Sequence, residues 1–289
     1  MAYDTALVEP QTRPRITVIL RKYPTGILGG LLLIAMIGIA LAASMIAKGD
    51  PNALNLPMRL QPPGDVYWFG TDSFGRDIYT RVIHGAQVSL RIGLSVALLS
   101  SAIGLLIGLA AGFIRSLDAI LMRIMDGMMA IPAILLAIAL MALVGGSVGN
   151  VIAAVTLTEV PRVARLVRSV VLSLREQTYI EAARASGIRT RNILIRHILP
   201  NTIAPMLVQG TYIFASAMIV EAALSFIGAG VPTSVPTWGN IMADGRSLWQ
   251  VQPSIVFAPA AFLSITVLAV NMIGDDLRDA LDPRLQRKV

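Results

Sequence analysis

The side chains able to do covalent or metal chemistry are few, and their spacing excludes the common reactions. Only three lysines occur, Lys22, Lys48 and Lys288, and none follows a glycine, so the phosphate-cradling GxxxxGKS/T loop is absent. There is no cysteine, which removes disulfides and thiolate metal sites. His84 and His197 fall on opposite sides of the membrane expected below, so no His–His metal site can form within one chain. No histidine spacing favours a serine hydrolase either, and no catalytic residue is expected. What remains is a set of polar side chains inside apolar stretches: Asp126, Glu159, Gln209, Glu221 and Asn271. Such groups are costly in hydrocarbon, and they either line a pathway or pair across helices. Asp126 and Glu221 are expected close enough to an interface to be solvated. Glu159 is the most central, and it either pairs with Arg162 or sits near a solute route.

The elements that position these residues are membrane spans. With 55% hydrophobic residues, 14% charged and a mean hydropathy of +0.70, the chain lies far from soluble proteins, in which about a quarter of residues are charged. At about 20 apolar residues per crossing, six helices are expected over 24–47, 88–113, 119–144, 148–171, 203–227 and 253–274, an all-α polytopic fold of one domain, 24–274. Most of the basic residues fall in the tail 1–23, near Arg115, in 162–196 and in the tail 275–289, all on one side if six spans are drawn. That is the positive-inside pattern, and it places both termini in the cytoplasm. The net charge of +7 therefore reports orientation and not a nucleic-acid partner. No cleavable signal is expected, because the apolar run after the polar tail is too long for one.

Local patterns refine the spans. Gly104, Gly108 and Gly112 recur at four-residue steps and make one helix face flat, for packing either within this subunit or against a second one. Pro132 is expected to kink the third span, and Arg123 and Asp126 to pair three residues apart. Arg162, Arg165 and Arg168 form a basic face opposite Val163, Val167 and Val170. Residues 48–87 and 228–252 read as external loops, with Trp238 and Trp249 placed for an aromatic belt.

The longest interruption of the apolar pattern is 175–201, REQTYIEAARASGIRTRNILIRHILPN. Thr178 and Glu181 fit a capping box, which starts a short helix at Tyr179. Gly187 fits the left-handed residue after a helix end, and Pro200 is expected to close a second helical run that begins near Arg189. The expectation is a compact helix-turn-helix hung between spans.

EAARASG, nine residues, then HILPN resembles the EAA loop of bacterial ABC importer permeases. Glu181, Ala182, Ala183, Gly187, Leu199 and Pro200 match that pattern, and His197 stands where the general pattern has isoleucine, as in the peptide-importer branch. GTDSFGRDIYTRVIHGAQVSLRIG, LMRIMDGMMAIP, SFIGAGV, PTWGNIMADGR and GDDLRDALDPRL are similar, in order and spacing, to the C-type permease of dipeptide/oligopeptide transporters. The resemblance implies a type I importer architecture in the bacterial inner membrane. It implies a second, different permease, two cytoplasmic ATPase subunits that hold ATP and Mg, an external substrate-binding protein and a peptide-like solute, with no cofactor on this chain. It also implies that 175–201 couples to an ATPase, for which Tyr179 offers an anchoring aromatic, the alanines close seating and Arg184 a charge for an acidic rim. Glu159, Gln209, Glu221 and Asn271 are the candidates for the pathway, and Arg76, Asp77, Trp238 and Asp244 for docking of the binding protein. The alternative is an ATP-independent secondary transporter or channel, which needs the intramembrane polar groups to form a connected relay.

Overall fold

Glycines set the centre of the fold. In the computed structural model, which describes residues 24–281, the first helices are α1 (Pro24–Leu41), α2 (Ile78–Phe113), α3 (Arg115–Met129), α4 (Ala133–Val144) and α5 (Val148–Arg175). They are followed by α6 (Thr178–Ala185), α7 (Leu199–Phe226), α8 (Trp238–Gly245) and α9 (Ser254–Leu281). The expectations for the tails 1–23 and 282–289 lie outside the described residues. A Cβ built on Gly104 would sit 2.5 Å from Val163, one on Gly108 2.6 Å from Val167, and one on Gly112 2.7 Å from Val171. The glycine stripe of α2 is thus a groove that receives a valine ridge of α5 at matching four-residue steps. Of the two readings of the stripe, packing within this subunit is the one seen. The buried member of the ridge is Val171 and not Val170.

Around this pair, α7 packs on α2, α5 and α9, and α1 packs on α9. Gly29 allows the last contact, since its Cβ would meet the Ala269 carbonyl at 2.6 Å, and the Asp276 carboxylate accepts from Thr25 Oγ1 at 2.6 Å and from the Gly26 amide. One buried cluster joins α2, α4, α5 and α7, and a second joins α2, α7, α8 and α9.

The expected elements change in five places. First, α2 begins at Ile78, so ten residues expected as external loop are helical. Asp77 is the cap that starts them, its side chain accepting from the amides of Tyr79 at 3.3 Å and Thr80 at 3.2 Å. Second, the third span is broken into α3 and α4, bent by 89°. Pro132 has no amide to give and keeps Ile131 out of the helical region, and α3 is held down instead by its own contacts with α5. Third, Asp126 pairs with Arg165 of α5 at 2.7 Å and not with Arg123. Fourth, α6 starts at Thr178 with Gln177 as its cap residue and no side-chain capping bond. Gln177 donates to the Leu174 carbonyl at 3.1 Å, so α5 turns straight into α6 and no capping box forms. Fifth, Pro200 does not close a helix. The turn Thr190–Ile193 runs through a π-helical turn, Leu194–Ile198, into α7, which makes 37 residues of continuous helix. The wider π turn absorbs the missing amide and ring of the proline.

Among the described residues, four helical stretches are long and apolar enough to cross a membrane: α1, α2, Thr190–Phe226 and α9, with α3 and α4 as a fifth if the bent pair is one span. The 28 residues of α5 give about 42 Å at 1.5 Å per residue, enough to cross about 30 Å of hydrocarbon, but its arginines keep its composition polar.

Closure of α2 on α5 predicts that Gly108→Ala, which drives a methyl toward the Ala164 carbonyl 2.6 Å away, destabilises the folded chain by about 1–3 kcal/mol. Gly127→Ala, where a Cβ meets nothing within 4 Å, serves as control. Melting midpoints in detergent check this, and equal midpoints would contradict the groove.

Candidate functional site

The segment 176–200 is anchored at a few points and otherwise presented outward. Ile180 of α6 is fully buried with Ile193 and Ile198 from the following turns, and Ala183 packs against the same cluster. Glu181, Ala182, Arg184 and Ala185 are exposed, and the Tyr179 ring lies 6.3 Å from that of His197. Glu181 and Arg184 also line a polar cavity with Arg115, Asp118, Arg175 and Glu176. Gly187 has φ +76 with open space around it. The Ile188 amide donates to the Ala183 carbonyl at 3.1 Å and the Gly187 amide to Arg184 at 3.0 Å, the paired bonds of a helix end closed by a left-handed residue. Leu199 is half-buried and Pro200 exposed. The result is a short helix that moves with the base of α5 and shows small and charged side chains to the outside.

At the opposite end, two of the four candidate docking residues, Arg76 and Asp244, belong to a clasp of charges with Asp72 and Arg81. Asp72 Oδ2 accepts from Arg76 Nε at 2.6 Å and Arg81 Nη1 at 2.8 Å, and Asp244 Oδ2 accepts from Arg76 Nη2 at 2.8 Å and Arg81 Nη1 at 2.9 Å. Arg81 is 1% exposed and its Nε has no partner among the described residues. Asp77 caps α2. Trp238 is 0% exposed, its Nε1 donating to the Val82 carbonyl at 3.0 Å, so it is a core residue and not part of an aromatic belt. Trp249 is exposed. Sequence reasoning passed over Asp72 and Arg81, although two acids and two arginines within TDSFGRDIYTR were a visible signal.

The four pathway candidates are not joined. Glu159 is buried, accepting from Arg162 Nη1 at 2.9 Å and from Ser216 Oγ of α7 at 3.2 Å. Gln209 is half-buried with an unpartnered Nε2. Asn271 is exposed on α9. Glu221 is 1% exposed and accepts from Ser225 Oγ at 2.8 Å, which corrects the expectation of a solvated acid: Ser225 and the turn that follows it cover the carboxylate. No hydrogen bond among the described residues links any two of the four. The arginines expected as one basic face are each paired, Arg162 with Glu159, Arg165 with Asp126 and Arg168 with Asp118 at 2.7 Å.

Comparison with known proteins gives a family match over residues 102–287, to the binding-protein-dependent transport system inner membrane component. The chain is 49% identical over 270 residues to a probable peptide ABC transporter permease protein, y4tQ, of Sinorhizobium fredii, covering 93% of this chain and 92% of that one. It is 42% identical over 268 residues to the dipeptide transport system permease protein DppC of Alkalihalophilus pseudofirmus, covering 92% and 88%. Among solved structures, an inward-facing MetNI methionine ABC transporter chain matches in fold with a TM-score of 0.60 at 19% identity, covering 71% of this chain and 98% of that one.

Removal of one member of a buried charge cluster leaves the others uncompensated. Arg81→Met is therefore expected to cost about 3–5 kcal/mol, read as a lowered melting midpoint and faster proteolysis of residues 48–77. Arg59→Met, at an exposed position, should change neither. Equal midpoints would show the four charges to be individually dispensable.

Proposed function

The chain belongs to the family of binding-protein-dependent transport system inner membrane components, and from that premise we propose that it forms half of a route for peptides across the bacterial inner membrane. It is a permease subunit of an ABC importer. The observation that carries the peptide assignment is the 49% identity, over nearly the full length, to a probable peptide permease. A second, different permease completes the route, an external binding protein delivers the solute, and two ATPases on the cytoplasmic side hold ATP and Mg and supply the work. Six spans put both termini in the cytoplasm, with α5 as the span whose arginines are answered by Glu159, Asp126 and Asp118.

The coupling role falls to Tyr179, Glu181, Ala182, Ala183, Arg184 and Gly187, bounded by Leu199 and Pro200. Its support is mechanical. The segment α6 is pinned through Ile180, joined to α5 with one intervening turn and separated by the tight Gly187 turn, residues 186–189, from the continuous helix Thr190–Phe226 that includes α7. A push on its outer face passes to α5 through the short turn between them and to α7 through the buried Ile180, Ile193 and Ile198 contact. Docking of the binding protein falls to the outer loops, with Arg76, Asp77, Trp238 and Asp244 holding their shape from beneath. The loaded binding protein must favour one state of the pair, because equal affinity for both would shift nothing. The ATP-independent alternative loses its footing, since it needs a connected relay and the four polar candidates are separate.

Two outcomes follow. Gly187→Val places a β-branched residue at φ +76, a strained conformation, and should reduce binding-protein-stimulated ATP hydrolysis at least about tenfold while the subunits still co-purify. Unchanged stimulation would remove the coupling assignment. Cysteines at the exposed positions Ser186 and Ser234 should be labelled by impermeant reagents from opposite sides of the membrane; labelling of both from one side would overturn the six-span topology.

A further inference from the structure

The helix α5 carries two opposed faces. Val163, Val167 and Val171 fill the glycine groove. On the other side Thr158, Arg162, Arg165, Ser169 and Ser173 fall within an arc of about 80° at 3.6 residues per turn, and all five are half-buried or exposed. From residue 158 to residue 173 no apolar side chain falls inside that arc. Arg162 stands midway along the 28 residues of the helix, about 20 Å from either end. With about 30 Å of hydrocarbon to cross, a span centred on these 28 residues places Arg162 well inside the apolar layer.

Arg162 is also the forward member of a built arrangement. Glu159, its side chain 3% exposed, sits behind it and is held from the far side by Ser216. The Arg162 side chain is 41% exposed, and its guanidinium lies 5.3 Å from the centre of the Tyr212 ring, itself half exposed. One of its five donors is used by Glu159. Arg165 beside it is answered by Asp126 of α3. A charge inside the apolar layer does not face lipid chains, and the stripe is continued by the hydroxyls of Ser169 and Ser173 toward the 176–200 end and by that of Thr158 toward the other, as a wetted wall requires.

We propose that this stripe borders the water-filled route and that Arg162, positioned by Glu159 and Tyr212, is the contact for an anionic group of the cargo, the carboxylate of a peptide-like solute. The carboxylate assignment rests on the reading of the chain as half of a peptide route, whereas the wetted stripe does not. Entry of a carboxylate puts a second anion within reach of a guanidinium whose side chain is 41% exposed and which gives one of its five donors to Glu159, so binding leaves the Glu159 pair in place.

The test uses the whole transporter with its partners. The chain has no cysteine of its own, so Arg162→Cys and, separately, Thr158→Cys introduce a single thiol, and labelling is read on this chain. The probes are two methanethiosulfonates of similar size, one bearing a sulfonate and one a trimethylammonium, applied without nucleotide and with the ATP-bound state trapped. Both positions are expected to react in at least one state. At Thr158→Cys the sulfonate-to-ammonium rate ratio should fall roughly tenfold when Arg162→Gln is added. Reaction at neither position in either state, as burial against a second subunit or lipid would give, overturns the proposal, and so does a ratio that Arg162→Gln leaves unchanged. Because the labelling uses no cargo, a transporter that moves no peptide yet shows the shifted ratio would sink the peptide reading and leave the anion contact standing.

Discussion

Closure of a glycine groove on a valine ridge is the contact from which the other features follow. Gly104, Gly108 and Gly112 let the backbone of α2 approach α5 so closely that a single methyl at any of them would collide with Val163, Val167 or Val171. In an apolar solvent, where lipid tails compete equally for apolar side chains, this kind of close fit is what holds helices together. It also fixes the rotation of α5 about its axis. Once the valines are spent on the groove, Thr158, Arg162, Arg165, Ser169 and Ser173 can only point the other way, and α3 is drawn in to answer Arg165 and Arg168 with Asp126 and Asp118.

The two ends of the molecule are then built by different means. At one end a tetrad of charges ties residues 71–81 to α8, and Trp238 seals the joint by inserting between α2 and α9. At the other end the tie is apolar and small: Ile180 with Ile193 and Ile198. A charge cluster gives directional, mutually dependent contacts that resist loop deformation. A single buried isoleucine under a helix of eight residues leaves nearly all of that helix free to be gripped from outside.

Part of what lies within one or two turns was legible in the sequence. The apolar helical character, the left-handed Gly187 and the Glu159–Arg162 pair depend on composition and near-neighbour spacing, whereas the Thr178–Glu181 capping box expected on the same grounds does not form. The glycine of the EAA pattern was legible for a related reason: Gly187 stands at φ +76, a local backbone demand.

What only the tertiary structure decided were choices between equally good local options. Asp126 could reach Arg123 by helical spacing, yet Arg165 across the interface claims it. Trp238, expected in an aromatic belt, is buried against Val82 and Phe262. Pro132 and Pro200 carry the same local defect, but the first sits where α3 can fold flat on α5 and breaks the span by 89°, while the second is absorbed by a π turn. The glycine stripe marked a flat face without saying what would lie on it. Sequence fixes which contacts are possible along one helix, and the partner each takes is settled by competition among side chains that only the packed helices bring together.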